Sequence, residues 1–365
     1  MIALSTLFLA AFVSATPRLL LEVTGPSKAV NIHGLVVKTT VTNVGDETLE
    51  LLRAPGSVLS SDNTDTFRIS SPSGAPAFTG IRAKWLPELA LGSGLGDTTT
   101  ILTPGQSIEK IHSLAGVYNF TEPGEGQYTF RASDVFDYVD SAGTLKSIRA
   151  ISNSDQFHLT GLLATSDPST LRLPVASRYR DCSEEQIVSI REAAVQAGQF
   201  VDQAQTYLQA IYVPNAEPQV LLGAEFLGAR QYTKWFGALD DNRIRTVARH
   251  FENIAITSSC SRYNCGTCVD QDKYAYVWPN DKFQRIYLCP PFWKLKLNGL
   301  DSRAGTIVHE NSHFDINGGT KDLVYGQKNS TKLAQEFPNQ AVLNADNHEY
   351  LFPGSVENLH KVLGQ

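Results

Sequence analysis

The run His309-Glu310-Asn311-Ser312-His313-Phe314 limits what this 365-residue chain can be more than any other stretch of it. Histidines four apart lie on one face of a helix, one turn above the other. On that face two imidazoles can hold one Zn²⁺. Glu310, adjacent in sequence, then lies to the side of the metal, where it can take a proton from water that the metal has acidified. Residues 302–308 are helix-compatible, and Asp301 or Ser302 is the N-cap candidate.

Such a site needs a third ligand. One pattern places Gly and His at fixed positions after the second histidine, but those positions hold Ile316 and Gly319. Another takes a Glu from a later helix, for which Glu336 is the one tolerable candidate. Asp322 is the better one. Gly318-Gly319 permits a sharp turn after the helix, and that turn could bring the chain back so that Asp322 faces the metal. Two imidazoles, one carboxylate and one water complete an open catalytic zinc site.

The H-E-x-x-H-F run, followed by Gly318-Gly319-Thr320-Lys321-Asp322 and Tyr325-Gly326, resembles the aspzincin (deuterolysin-type) zinc endopeptidases. Further blocks resemble that family: residues 232–237, 275–279, 286–289 and 344–350. The last block and the GGTKD wording are most similar to its peptidyl-Lys metalloendopeptidase branch. The resemblance covers about residues 178–353 and is only architectural before them. It implies His309, His313 and Asp322 as ligands of a single zinc ion and Glu310 as general base. Tyr325 is implied to steady the oxyanion, and Asp346 with Glu349 to line a pocket for a substrate lysine. His348, between those two acids, receives no metal role. The implied activity is cleavage of proteins or peptides before lysine. A broader, deuterolysin-like specificity and a catalytically silent binding scaffold stand as alternatives.

Composition narrows the partners. The formal net charge is −6 and no basic stretch occurs, which argues against nucleic acid. No apolar run of membrane-spanning length follows the N-terminus. Residues 1–12 form an apolar stretch and Val13-Ser14-Ala15 a small-residue cleavage site, so residues 1–15 read as a secretory signal. Secretion agrees with five cysteines, all in the C-terminal half. Cys265-Gly266-Thr267-Cys268 has no second pair at zinc-knuckle spacing. The resemblance implies two disulfides, Cys268–Cys289 and Cys182 with either Cys265 or Cys260. Nothing points to an obligate assembly, so a monomer is expected.

The expected fold is α+β: a β-sandwich-like N-terminal region, then a mainly helical zinc domain with a small hairpin. Residues 19–23, 29–44, 67–71, 98–102 and 127–132 read as short strands. Residues 160–178 read as a linker. After Cys182 the pattern turns helical. A capping box starts at Ser183, and helices are expected to about Ala210, over 240–254 and over 331–346, with a hairpin over 270–290. This division resembles a zymogen, with 16–177 a propeptide removed near Ser177-Arg178 and 178–365 the catalytic domain. The propeptide has no cysteine, so latency must come from steric cover or from a carboxylate, histidine or backbone group reaching the metal. No lysine occurs between Lys146 and Lys234, so an enzyme that cuts only before lysine cannot mature itself at that boundary. Asn119 and Asn329 begin glycosylation sequons.

Overall fold

The computed structural model describes residues 17–92, 98–140, 142–165, 178–211, 229–258 and 261–351. The signal-like residues 1–15, most of the expected linker, Ser177 and Cys260 lie outside them. Strands dominate as far as Leu162: β1 (Leu19–Thr24), β2 (Lys28–Asn31), β3 (Val36–Asn43), β4 (Leu49–Leu52), β5 (Phe67–Ser70), β6 (Ala77–Phe78), β7 (Arg82–Trp85), β8 (Thr99–Leu102), β9 (Ser107–Ser113), β10 (Tyr118–Asn119), β11 (Gly126–Ala132), β12 (Val135–Val139), β13 (Leu145–Arg149), β14 (Ile151–Ser152) and β15 (Asp155–Leu162). One short helix, α1 (Pro87–Gly92), interrupts them.

Three four-stranded sheets result, ordered β14-β1-β3-β9, β2-β15-β11-β5 and β13-β12-β4-β8. Along β3 and β11 buried and exposed positions alternate, so one face of each looks inward. The inward set includes Leu21, Val37, Leu51, Phe120, Phe130, Phe157 and Leu159, which share one apolar core. Burying each such side chain contributes roughly 1.5–3 kcal/mol. The strand expected over 29–44 is broken, because Ile32–Gly34 forms a 3₁₀ turn capped by the Asn31 side chain.

Helices gather after Arg178: α2 (Glu184–Ile211), α3 (Arg230–Phe236), α4 (Asp241–Thr257), α5 (Arg303–His313), α6 (Gln327–Glu336), α7 (Pro338–Ala341) and α8 (Ala345–Glu349). The capping box at α2 is reciprocal: Ser183 Oγ accepts from the Gln186 N–H (3.2 Å) and Gln186 Oε1 from the Ser183 N–H (2.9 Å). The single helix expected over 331–346 is two shorter ones, since Pro338 cannot continue α6 and instead opens α7. Helices α2, α3, α4 and α5 build a second core around Phe200, Tyr207, Trp235, Val247, Phe251 and Ile307. The fold is thus mixed α+β, and its two largest apolar cores are separate.

The expected hairpin is present but belongs to a larger sheet. β18 (Lys273–Val277) and β19 (Arg285–Leu288) pair antiparallel. β17 (Arg262–Asn264) and β16 (Tyr179–Arg180) add beyond β19, giving the order β16-β17-β19-β18-β7. The strand on the far side of β18 is therefore β7, from the N-terminal half, paired antiparallel with Lys84 opposite Ala275 and Ala83 opposite Tyr276. Strand β7 thus crosses the division near residue 178. Two disulfides brace the same region, Cys182–Cys265 and Cys268–Cys289. Among the described residues no helix is long and apolar enough to cross a membrane.

Candidate active site

Helix α5 runs through the centre of the C-terminal half, with every residue from Ala304 to His313 buried. Ser302 is its N-cap, its Oγ accepting from the Gly305 N–H at 3.0 Å. Asp301, the other candidate, has φ +51° and turns its carboxylate towards the Tyr350 hydroxyl and the Gln327 amide. One turn apart, His309 and His313 aim their Nε2 atoms at each other, 3.1 Å apart.

Beyond α5 the chain reverses. Phe314 O accepts from the N–H groups of Asn317, Gly318 and Gly319. Gly319 has φ +55°, and a Cβ on Gly318 would lie 3.0 Å from Ser312 O and 3.1 Å from the His250 ring, so the turn needs both glycines. Lys321 then bridges to the segment before α8 through Lys321 N–H to Leu343 O (2.7 Å) and Ala345 N–H to Lys321 O (3.0 Å). Asn344 Oδ1 clamps the next turn by accepting from Leu323 and Val324 N–H. Asp322 is thereby fixed with Oδ1 3.3 Å from Nε2 of both histidines. Glu336 plays no part; it is exposed at the end of α6, beside Lys332.

This trio fits a metal ion. His313 Nδ1 lies 3.0 Å from the Thr320 carbonyl, which can only accept, so Nδ1 carries the proton and Nε2 keeps its lone pair. His309 Nδ1 lies 2.8 Å from Asp346 Oδ1, which orients that ring in the same way. Two imidazole lone pairs 3.1 Å apart repel unless positive charge sits between them. Asp322 Oδ1, facing the same point, is buried without a hydrogen-bond partner among the described residues. Burial works to raise the Asp322 pKa, but the two imidazoles outweigh it and hold the carboxyl well below its usual range.

Glu310 lies beside the trio, fully buried. Its Oε1 accepts from the Lys84 N–H at 3.1 Å, whereas Oε2 has no hydrogen-bond partner among the described residues. Burial pushes its pKa up to about 8. Tyr325 packs edge-on to Trp85, ring centroids 5.4 Å apart, and burial holds its phenol in the protonated form.

Asp346 and Glu349, both on α8, lie against the N-terminal half of α5 and are fully buried. At Gly305 α5 approaches them so closely that a Cβ there would sit 2.7 Å from Glu349 Oε1. Between the acids lies the ammonium of Lys84, 2.8 Å from Asp346 Oδ1, 2.8 Å from Glu349 Oε2 and 3.6 Å from Asp301 Oδ1. Burial would lower the Lys84 pKa, but those three carboxylates raise it above its ordinary value. The expected residues His309, Glu310, His313, Asp322, Tyr325, Asp346 and Glu349 thus converge on one region. Lys84, Asp301 and Tyr350 were missed. Nothing local in Ile81-Arg82-Ala83-Lys84-Trp85 marks it as part of a site two hundred residues downstream.

The chain is similar to known proteins over nearly its whole length. Residues 224–352 match the aspzincin family, described as lysine-specific metallo-endopeptidases. A peptidyl-Lys metalloendopeptidase of Grifola frondosa is 39% identical over 354 residues, 96% of each chain. One of Armillaria mellea is 38% identical over 93% of this chain and 92% of its own. A solved zinc peptidase from Grifola frondosa is 40% identical, with TM-score 0.40, covering 47% of this chain and 95% of that one. Since a relative of nearly 40% identity spans almost the whole length, the chain belongs to the aspzincin family and is a metalloendopeptidase.

Proposed function

We propose that this chain is a secreted zinc endopeptidase that cuts peptide bonds on the N-terminal side of lysine, using one zinc ion held by His309, His313 and Asp322. On this reading residues 1–15 are a signal, 16–177 a propeptide and 178–365 the catalytic domain, active as a monomer. When bound, zinc supplies a Lewis acid and makes water easier to deprotonate. Glu310 does the proton work. It takes the proton from water and passes it to the leaving nitrogen, a reading supported by an Oε2 without a hydrogen-bond partner among the described residues and an Oε1 3.1 Å from a backbone nitrogen. Tyr325, held as a neutral phenol, donates to the carbonyl oxygen as charge grows there. Asp346 and Glu349 accept the substrate's lysine ammonium.

The observation that carries the lysine preference is the pocket itself, two carboxylates buried at 0% and 1% exposure with an ammonium 2.8 Å from each. Buried carboxylates without a cation are strongly disfavoured, so the pocket selects a long basic side chain. The test maps every new N-terminus that the secreted enzyme creates in a denatured protein, with and without a zinc chelator. Nearly all new termini should be lysine and should vanish with chelator. Chelator-sensitive cuts at mixed residues would remove the pocket assignment and leave the metal mechanism.

A further inference from the structure

The ammonium in that pocket belongs to the protein itself. Resting on the lysine-pocket reading above, we propose that β7 is a tethered occupant of the substrate cleft, with Lys84 seated where a substrate lysine would sit, so that the N-terminal half holds the site shut.

Three independent contacts agree on this register. First, β7 adds to the edge of β18 as an antiparallel strand, the way an extended peptide binds an exposed sheet edge. Second, the Lys84 side chain is fully buried, its Nζ between Asp346 and Glu349 and over the Tyr350 ring at 5.0 Å. Third, the backbone is aligned with the catalytic groups. The Lys84 N–H donates to Glu310 Oε1 at 3.1 Å and the Ala83 N–H donates to Asp322 Oδ2 at 3.1 Å. The peptide between Ala83 and Lys84 therefore lies between the base and a ligand of the trio. Its nitrogen stands where the leaving nitrogen of a cut before lysine would stand. Ordinary packing between two halves of a chain can bury a paired lysine but has no reason to align its peptide with Glu310.

Contacts on either side keep β7 in place. Arg82 pairs with Asp65 at 3.1 Å and lies over the Phe78 ring at 4.5 Å, both from the N-terminal half. Trp85 packs with Leu52, Ala90 and Tyr325, joining the N-terminal half to the wall of the cleft. No cysteine is needed for this kind of latency. It uses the pocket's own selectivity, presenting the side chain that the acids demand.

The experiment uses the full-length, zinc-loaded chain in a Glu310→Gln background, so that nothing is cut. The probe is a fluorescent peptide with a reduced, uncleavable bond before its lysine; a norleucine twin serves for comparison. Fluorescence anisotropy compares the Lys84 parent with Lys84→Ala, Lys84→Gln and Lys84→Arg. The lysine probe should bind Lys84→Ala and Lys84→Gln at least roughly tenfold more tightly than the parent, because occupancy by Lys84 reduces the competent fraction. Lys84→Arg, which keeps a cation in the pocket, should restore most of the block. Circular dichroism selects the variants that remain folded, and Lys84→Gln keeps much of the stem if Lys84→Ala does not fold. Equal binding to parent and variants overturns the proposal. If both probes tighten equally on the neutral variants, the occupant is confirmed and the lysine preference of the pocket fails instead.

Discussion

Two buried lysines join the halves of this molecule, in opposite directions. Lys84 comes from the N-terminal half and ends among acids of the C-terminal half. Lys273, on β18, meets Asp62 of the N-terminal half at 3.0 Å, with Asp270 and Asp272 each at 3.2 Å. Each cation has three carboxylates, and both lysines are nearly inaccessible. Their partners differ. Asp346 and Glu349 are sealed, whereas the side chains of Asp62, Asp270 and Asp272 keep 23%, 47% and 29% exposure. Acids that water can reach lose little when their lysine leaves; sealed acids must find another cation or a proton. The Lys273 arrangement makes a clasp, and the Lys84 arrangement is the one proposed to be a selective pocket.

Substitutions can break that contrast. Lys84→Met in the full chain should cost about 3–5 kcal/mol of stability, because it strands buried carboxylates. Denaturant unfolding of the full-length protein measures this, and a cost near that of Lys273→Met would erase the distinction. Gly305→Ala should come next, at about 1–3 kcal/mol. Its new methyl meets Glu349 Oε1 at 2.7 Å, so selectivity for lysine over norleucine substrates should fall along with stability. Lys273→Met should cost only about 1 kcal/mol, since its acids return to solvent. Added salt should shrink that cost further and leave the Lys84 value nearly unchanged.

The smallest effect lies outside both lysines and serves as a control. His250 and His348 stack in the second core with Nδ1 and Nε2 3.0 Å apart. Burial lowers their pKa values to about 4 and about 3. Both are neutral in the fold, while an unfolded chain takes up protons near pH 6.5, so their stabilising effect is full above that pH. It declines as pH falls from 6.5 towards 4. His250→Phe should flatten that limb of the melting temperature against pH by a few degrees, without altering the difference between Lys84→Met and Lys273→Met.

How much of this was legible follows from distance along the chain. The helix of the motif, its Ser302 cap, the reciprocal box at Ser183 and the glycine turn are local, and local residues dictate them. Asp322 could be found because it lies only nine positions after His313 and a glycine pair falls in the gap. The pocket acids came from likeness to a family, since nothing in Asp346-Asn347-His348-Glu349 reveals that α8 packs on α5. β7 was illegible in kind. It is buried at all four positions, so it lacks the alternation that marks a strand, and its partner β18 lies about 190 residues on. The break at Pro338 is local, since a proline cannot continue the helix before it.

The strand in the cleft also changes what cutting the chain near residue 178 would achieve. Lys84 lies 94 residues before Arg178 (178 − 84), so that cut leaves every contact of β7 intact. What it removes is the covalent link, and with it an effective concentration of the order of millimolar. Afterwards the same strand is a separate molecule, and the fraction of enzyme it blocks depends on how dilute the mixture is. A crowded vesicle would keep the pair together and an open medium would part them, so release would be set by volume.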